Sequence, residues 1–429
     1  MTEETKGTFL RQSGWLALAT AIGGATSYAV HFFAKDLPKD EYGVFTTLLQ
    51  ILNMVAIPAI GLQTVFAQQA AAAKSDADEK QLTVAALTIL RVLIGLWLVA
   101  AFAVLIGQQQ IADAIKINDP RALWLTIISG LFALGLPMAY GLLQGRQNFL
   151  WYGWAAMMLG GVRLVAVAAL LMAVAKIATN AMVGVLLGYI VAFAIAWRAR
   201  GLRPADPDVP FEWRDWLRRV VPISIGAGAF IFMMSADMVI VQRHFDEKQT
   251  GLYAAAGMIG RALVFLISPL VAVMFPKIVR SHTTGKDSGT LRLTLLLTGM
   301  LGVIAGLGAT CFPALPLNIV YDETFHKVAP LVPWFVWAMV PLTLGAVLSN
   351  NLIARGRYEI AYALAIVCAG YAITLWLCAP GLAEKTPAGS FQVQSYIGVA
   401  KILGMANLIF LAVAGFFTWR MNGDVEGAH

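Results

Sequence analysis

The chain has few charged residues: lysine, arginine, aspartate and glutamate together make up 13% of its 429 residues. Soluble domains carry about 25% charged residues, so this low fraction leaves too little polar surface to coat a particle in water. The hydrophobic fraction of 59% is correspondingly high, and the mean hydropathy is +0.73. These values exclude a cytosolic enzyme, a secreted domain and a disordered scaffold. They indicate an integral membrane protein.

Cysteine and histidine are scarce as well. The three cysteines, Cys311, Cys368 and Cys378, form no C-x-x-C motif, which excludes a disulfide framework and a cysteine-based metal site. The five histidines form no H-x-x-D or H-E-x-x-H motif, so we expect no metal and no cofactor. The net charge of +7 resides mainly in loops beside apolar segments. An excess of basic residues in cytoplasmic loops explains this charge better than nucleic-acid binding does.

Long apolar segments fill most of the chain. A membrane-spanning helix needs about 20 mainly apolar residues. The segments are uniformly apolar and do not alternate, which predicts helices and not the strands of an outer-membrane barrel. The predicted spans are 14–34, 43–66, 82–106, 122–144, 150–174, 181–197, 220–242, 252–275, 293–315, 330–352, 360–380 and 396–419. The sequence therefore predicts an all-α membrane protein with about 12 transmembrane helices.

The longest connection, 198–219, divides the predicted spans into two sets of six. We therefore expect an N-terminal lobe at 1–197 and a C-terminal lobe at 220–429. After three prolines, the stretch 211–219 alternates tryptophans with charged residues, which predicts a short amphipathic helix in the membrane interface. Lysine and arginine are about twice as numerous in the loops on the side of the membrane that holds this linker as in the loops on the opposite side. This bias places both termini in the cytoplasm.

The two halves share landmarks in the same order. Gly43 and Gly251 each precede an aromatic residue by two positions and open a long apolar helix. Leu142–Phe149 and Ile353–Ile360 both contain a Gly-Arg pair in a polar turn, at nearly the same offset. Two sets of six spans with internal repeats are typical of transporters, in which the substrate path runs between the halves.

These landmarks resemble a known family. In the first half they are the acidic-Gly-aromatic entry at Glu41–Phe45 and the Gln-Gly-Arg turn at 144–146. In the second half they are Pro222, Ser235–Ile240, Gly251–Met258 and Phe275-Pro276. Together they resemble the polysaccharide-transport (O-antigen flippase) branch of the multidrug/oligosaccharidyl-lipid/polysaccharide (MOP) exporter superfamily. The resemblance implies alternating access of two six-helix lobes around a central cationic cavity, in a bacterial inner membrane. Some members have fourteen spans, whereas twelve are predicted here.

Three arginines fall inside predicted spans: Arg91, Arg163 and Arg261. A charged side chain at the bilayer centre costs about 2.5–3.5 kcal/mol on insertion scales, so these residues are expected to face protein or water. Arginine binds phosphate oxygens with two parallel hydrogen bonds, which predicts a substrate-binding cavity for a diphosphate. The alternative is that the arginines pair with Asp237 or with helix-end carbonyls and serve the structure. Gly160, one turn from Arg163, would allow a helix or a ligand to approach closely.

The other charged candidates lie near span ends or in turns, or have alternative roles. Asp237 is a candidate coupling site for a proton or cation, or else an ion-pair partner of Lys401 or a solvated acid. Lys401 lies near a span end, where a lysine side chain reaches the interface. Arg146, Arg355 and Arg357 lie in predicted cytoplasmic turns, where they set topology or guide anionic lipid headgroups.

The predicted function is the flipping of a polyprenyl-diphosphate-linked oligosaccharide from the cytoplasmic to the outer leaflet by a monomer among membrane lipids, with proton or sodium coupling left open. One alternative is a multidrug exporter of the same superfamily, although such sites use acids to bind cations. Another is a membrane enzyme, an oligosaccharide polymerase or ligase, which needs a larger outer loop than is found here. A lipid scramblase without sugar specificity is the third.

Overall fold

A computed structural model of the chain describes residues 3–73, 75–202, 212–264, 289–384 and 392–426. Within these ranges the chain is largely α-helical and contains no β-strand. The first nine helices are α1 (Glu3–Ala29), α2 (His31–Ala34), α3 (Lys39–Val55), α4 (Ile57–Ala72), α5 (Asp76–Ile106), α6 (Gln108–Ala114), α7 (Pro120–Gly145), α8 (Phe149–Ala173) and α9 (Ala178–Arg198). The others are α10 (Trp213–His244), α11 (247–264), α12 (Thr290–Cys311), α13 (Leu315–Val320), a 3-10 helix (Glu323–Leu331), α14 (Val332–Ala354), α15 (Glu359–Glu384) and α16 (Val393–Glu426).

The membrane-spanning helices agree with the prediction. In the described ranges, ten helices are long and apolar enough to cross a membrane, and the bent pair α3–α4 makes eleven. They coincide with eleven of the twelve predicted segments. The remaining prediction, 252–275, begins in α11 and extends beyond the described residues. The all-α, multi-pass membrane fold is confirmed.

The helices group into two compact units. Unit 1 comprises Met1–Asp36 and Ile51–Ser224, and unit 2 comprises Leu37–Gln50 and Ile225–His429. The predicted lobes have a single boundary at 198–219, whereas most of α3 belongs here with the C-terminal helices. The sequence did not predict that most of α3 belongs to unit 2. The segment 43–66 was predicted as a single span and was therefore assigned as a whole to the N-terminal lobe. The functional division into two moving lobes stays a prediction.

The predicted interfacial helix at 211–219 is not a separate element. Residues from Trp213 onward form the first turns of α10, which continues to His244 and carries Pro222 inside it. Pro222 lies inside α10 and does not interrupt it, so the charged stretch from Trp213 and the apolar run that follows form one helix. The amphipathic stretch is therefore an extension of a spanning helix, and Trp216 packs against Phe66 of α4.

The predicted span at 43–66 is broken near Pro58. α3 ends at Val55 and α4 begins at Ile57, with a bend of 43° between them. In unit 2, the repeat landmarks Gly43 and Gly251 lie against each other, because a Cβ added to Gly43 would lie 3.1 Å from the Gly251 nitrogen. The constraint is stronger at Gly251, where an added Cβ would lie 1.9 Å from the Lys39 carbonyl oxygen, so the backbone of α3 leaves no room for a side chain there.

Close helix contacts in unit 1 join α8 to both α1 and α9. A Cβ added to Gly160 would lie 2.2 Å from the Gly23 carbonyl oxygen, so α1 occupies the space that this glycine leaves. On α9, a Cβ added to Gly184 would lie 2.5 Å from the Val167 side chain. Small residues at such positions let helices pack tightly in lipid. Gly160 therefore serves a helix contact and does not admit a ligand.

The neighbouring glycines of α8 provide a matched test of this packing. We expect Gly160→Ala to lower the free energy of unfolding by about 1–3 kcal/mol, because its methyl group overlaps the α1 backbone. Gly161→Ala has open space around the new methyl group, so it should be neutral or stabilise the helix by up to about 1 kcal/mol. Thermal unfolding of the two variants in detergent checks this. Equal stabilities would contradict the close α1–α8 contact.

Candidate functional site

Arg163 lies half-buried on α8 and faces α9. Its guanidinium carbon lies 5.6 Å from the centroid of the Tyr189 ring, and its Nε atom has no hydrogen-bond partner among the described residues. No ion pair of Arg163 occurs among the described residues. α9 comes close at Gly188, where an added Cβ would lie 3.1 Å from the Arg163 Cβ. A mid-span cation that faces an aromatic ring and no carboxylate retains its capacity to bind an anion.

A run of tyrosines and glutamines adjoins Arg163 within unit 1. The rings of Tyr140 on α7 and Tyr152 on α8 stack with centroids 4.5 Å apart. The Nε2 of Gln63 on α4 donates to the Tyr152 hydroxyl at 3.1 Å and to Gln144 Oε1 at 3.4 Å. Tyr189, which faces Arg163, lies on α9, and α9 packs against both α7 and α8. The sequence analysis missed these residues, because only their polarity within apolar segments distinguishes them.

Arg261 and Asp237 form a buried ion pair in unit 2. The Arg261 Nη2 donates to both carboxylate oxygens of Asp237 at 2.7 Å, and its Nε donates to the Met234 carbonyl oxygen at 2.7 Å. Tyr253 donates to Asp237 Oδ2 at 2.8 Å, and the Phe335 ring centroid lies 5.9 Å from the guanidinium. The two charged side chains are 1% and 0% exposed. The ion pair with Asp237 balances the charge of Arg261. It therefore favours a structural role for this residue over substrate binding.

Lys401 and Arg91 occupy exposed positions in different units. The pairing of Asp237 with Lys401 was wrong, because the carboxylate is bound to Arg261 and the Lys401 ammonium lies over the Trp334 ring, 4.9 Å from its centroid. The side chain of Lys401 is exposed, as expected for a lysine that reaches the interface. Arg91 is exposed on α5. Its helix packs on α4, α6 and α7, whereas α8, which carries Arg163, packs mainly on α1 and α9. A role for Arg91 in substrate binding stays a prediction.

Arg146 joins three chain segments of unit 1 at the end of α7. Its guanidinium forms an ion pair with Glu79 of α5 and donates to the carbonyl oxygens of Arg200, at 3.0 Å, and Gly201. These bonds hold the end of α9 and the start of α5 to α7. Much of the hydrogen-bonding capacity of Arg146 is therefore taken by protein groups.

Arg355 and Arg357 lie together in the turn between α14 and α15. Both are partly exposed, and Gly356 between them has a φ of +75°, which glycine adopts without strain. The Arg355 Nε has no hydrogen-bond partner. A role in guiding lipid headgroups stays a prediction for these two residues.

A cavity of about 210 Å³ lies in unit 1 between α4, α5 and the first turns of α10. Its charged lining residues are Asp78, Glu212, Asp215 and Arg219, and Trp216 forms part of its wall. Asp78 already accepts a hydrogen bond from the Ser75 amide in the capping box of α5. The cavity is therefore acidic, and none of the three mid-span arginines lines it.

The structure offers no metal centre in the ranges that it describes. No group of three or more His, Cys, Asp or Glu residues there has the geometry to hold a metal ion. The cysteines Cys311, Cys368 and Cys378 are all free.

Comparisons with known proteins relate the chain to membrane transporters. The model of the family described as "Polysaccharide biosynthesis protein" matches residues 9–282. No curated protein matches. An inward-facing multidrug-resistance MATE transporter of the MOP superfamily superposes with a TM-score of 0.71 at 13% identity, covering 95% of this chain and 96% of that one. The lipid II flippase MurJ, in an inward closed conformation, gives a TM-score of 0.71 at 13% identity, covering 94% and 86%.

A third neighbour is a MOP superfamily transporter from Pyrococcus furiosus, for which a reversed polarity of the binding pocket suggests a different function. It gives a TM-score of 0.66 at 14% identity and covers 96% of this chain and 95% of that one. At these identities the likeness establishes the fold.

Proposed function

Because the chain belongs to the polysaccharide biosynthesis protein family, we propose that it flips a polyprenyl-diphosphate-linked oligosaccharide from the cytoplasmic to the outer leaflet of a bacterial inner membrane. Its fold is shared by drug exporters and by a lipid II flippase, which supports transport. Alternating access of the two halves, with both termini in the cytoplasm, is the mechanism proposed. The same neighbours favour transport over the polymerase or ligase alternative.

The environment of Arg163 is the main observation that supports the proposal. A half-buried guanidinium inside a spanning helix, without a carboxylate partner among the described residues, is costly unless an anion binds it in the working cycle. Of the three mid-span arginines, Arg261 is neutralised by Asp237 and Arg91 is exposed. We therefore assign the diphosphate to Arg163, whose planar fork fits phosphate oxygens.

The membrane potential gives the transport a direction. Moving a negative charge outward across an inside-negative membrane is favourable by about 2.3 kcal/mol per charge per 100 mV. A diphosphate headgroup would therefore be driven to the outer leaflet without an ion. Since Asp237 is held by Arg261, it is not the coupling site that we propose, and a proton or sodium ion would have to bind elsewhere.

Export of cationic drugs is the second candidate, and the acidic cavity beside Trp216 is the feature that favours it. Carboxylates with an indole ring suit an organic cation. However, Asp78 is engaged in a helix cap, and Glu212 and Asp215 are exposed. Exposed charges attract a ligand weakly because water screens them. We therefore favour the lipid-linked anion.

Transport of the two ligand classes by the same vesicles separates these functions. Proteoliposomes of the purified protein should flip a labelled polyprenyl-diphosphate oligosaccharide and should not accumulate the organic cation ethidium. Asp215→Asn, which neutralises part of the acidic cavity, should leave lipid flipping unchanged. Ethidium uptake that Asp215→Asn reduces, without lipid flipping, would replace this proposal with drug export.

A further inference from the structure

The polar side chains beside Arg163 are unusual for a membrane interior. Gln63, Tyr140, Tyr152 and Tyr189 come from four different helices of unit 1 and lie within spanning segments. Together they carry hydroxyl and amide groups, and no carboxylate or amine is among them. A neutral, hydrogen-bonding ligand suits such a group, whereas the neighbouring Arg163 suits an anion.

Two polar atoms of this group lack partners. Within the part of the chain that the structure describes, the Tyr140 hydroxyl has no hydrogen-bond partner although the residue is only 9% exposed, and the Arg163 Nε also has none. Buried polar groups are nearly always hydrogen-bonded, and an unsatisfied one costs free energy. Tyr189 contacts Arg163 and lies on α9, which packs on α7 and α8, so the two unsatisfied groups lie on a set of helices that pack together. These groups point to a ligand that satisfies them.

A sugar has the chemistry that this region requires. Each sugar hydroxyl both donates and accepts hydrogen bonds, as do a tyrosine hydroxyl and a glutamine amide. On α8 the region extends from Tyr152 to Arg163, about 16 Å at the helical rise of 1.5 Å per residue. A ligand that contacts both Tyr152 and Arg163 has to span this length. Gln144, at the other end of the run, is exposed.

We infer that Gln63, Tyr140, Tyr152 and Tyr189 form the sugar-binding part of the transport site, adjoining the diphosphate at Arg163. The inference rests on the proposed flippase function, and it adds that the protein recognises sugar rings next to the diphosphate. A scramblase without sugar specificity would have no use for this region.

Two fluorescent probes test the inference in proteoliposomes of the full chain: polyprenyl diphosphate without sugar, and the same lipid carrying a disaccharide of N-acetylglucosamine. The measured quantity is the ratio of their initial flipping rates. Wild-type protein should flip the sugar-bearing lipid faster, and Tyr140→Phe and Gln63→Leu should each lower the ratio about three- to tenfold, the effect of one hydrogen bond. Tyr362→Phe, at an exposed tyrosine of α15 in unit 2, is the matched control and should leave the ratio unchanged.

The outcomes separate this inference from the proposed function. If neither lipid moves in wild-type protein, the flippase function itself fails. If both lipids move at equal rates and both depend on Arg163, the flippase function stands and the sugar site is overturned. Variants that lose thermal stability but keep the wild-type ratio would also overturn it, since the tyrosines would then serve only the fold.

Discussion

Replacing Arg261 with methionine should lower the free energy of unfolding by about 3–5 kcal/mol, because it leaves the Asp237 carboxylate buried without its partner. Both side chains are almost completely inaccessible, and three hydrogen bonds hold the guanidinium to Asp237 and Met234. The remaining hydroxyl of Tyr253 cannot balance a full negative charge. Unfolding of the detergent-solubilised protein, followed by circular dichroism, measures the loss.

A double variant distinguishes an unpaired charge from a simple loss of packing. Arg261→Met combined with Asp237→Leu removes both charges, and exchanging a buried ion pair for apolar residues is often neutral. We therefore expect the double variant to be more stable than Arg261→Met alone. Lys401→Ala, at an exposed lysine, is the control and should change stability little. If the single and double variants were equally unstable, the charge balance would not be the cause.

Arg163→Ala should abolish most transport while leaving the amount of folded protein near that of the wild type. Truncating one partner of a buried charged pair costs about 2–5 kcal/mol, which corresponds to a loss of about 30-fold or more. Stability should change little, because Arg163 forms no ion pair with another described residue and its main contact is the Tyr189 ring. The flipping rate in proteoliposomes, normalised to folded protein, measures the effect.

Two further variants make the Arg163 result specific. Arg163→Lys keeps the charge but loses the planar fork, so it should retain only part of the activity. Arg121→Ala removes an exposed arginine at the start of α7, in the same unit, and should transport as the wild type does. A loss of folded protein in Arg163→Ala would instead assign Arg163 to the structure.

Apolar segments of the sequence were sufficient to predict the spanning helices, because lipid requires all backbone groups to bond within a helix. The linker was harder to predict. The alternation of Trp213, Trp216 and Leu217 with charged residues indicates one amphipathic face, and it does not reveal that α10 continues through Arg219. The nearest helix breaker, Pro222, lies inside α10 and does not end it.

The pairing of buried charges could not be predicted from the sequence. Asp237 had four candidate bases, the three mid-span arginines and Lys401, and the choice depends on how the helices that carry them pack. The tyrosine and glutamine region was missed for the same reason. Gln63, Tyr140 and Tyr189 are far apart in sequence, and only the packing of their helices brings them together.

The central claim is that a diphosphate headgroup is carried across the membrane by way of Arg163. The most direct test follows the accessibility of a labelled headgroup to a membrane-impermeant quencher in proteoliposomes, for a polyprenyl-diphosphate oligosaccharide and for an uncharged analogue of the same lipid. The account predicts that wild-type protein flips the diphosphate lipid, that the uncharged analogue moves far more slowly, and that Arg163→Ala removes this difference. Equal flipping of both lipids, unaffected by Arg163→Ala, would contradict it.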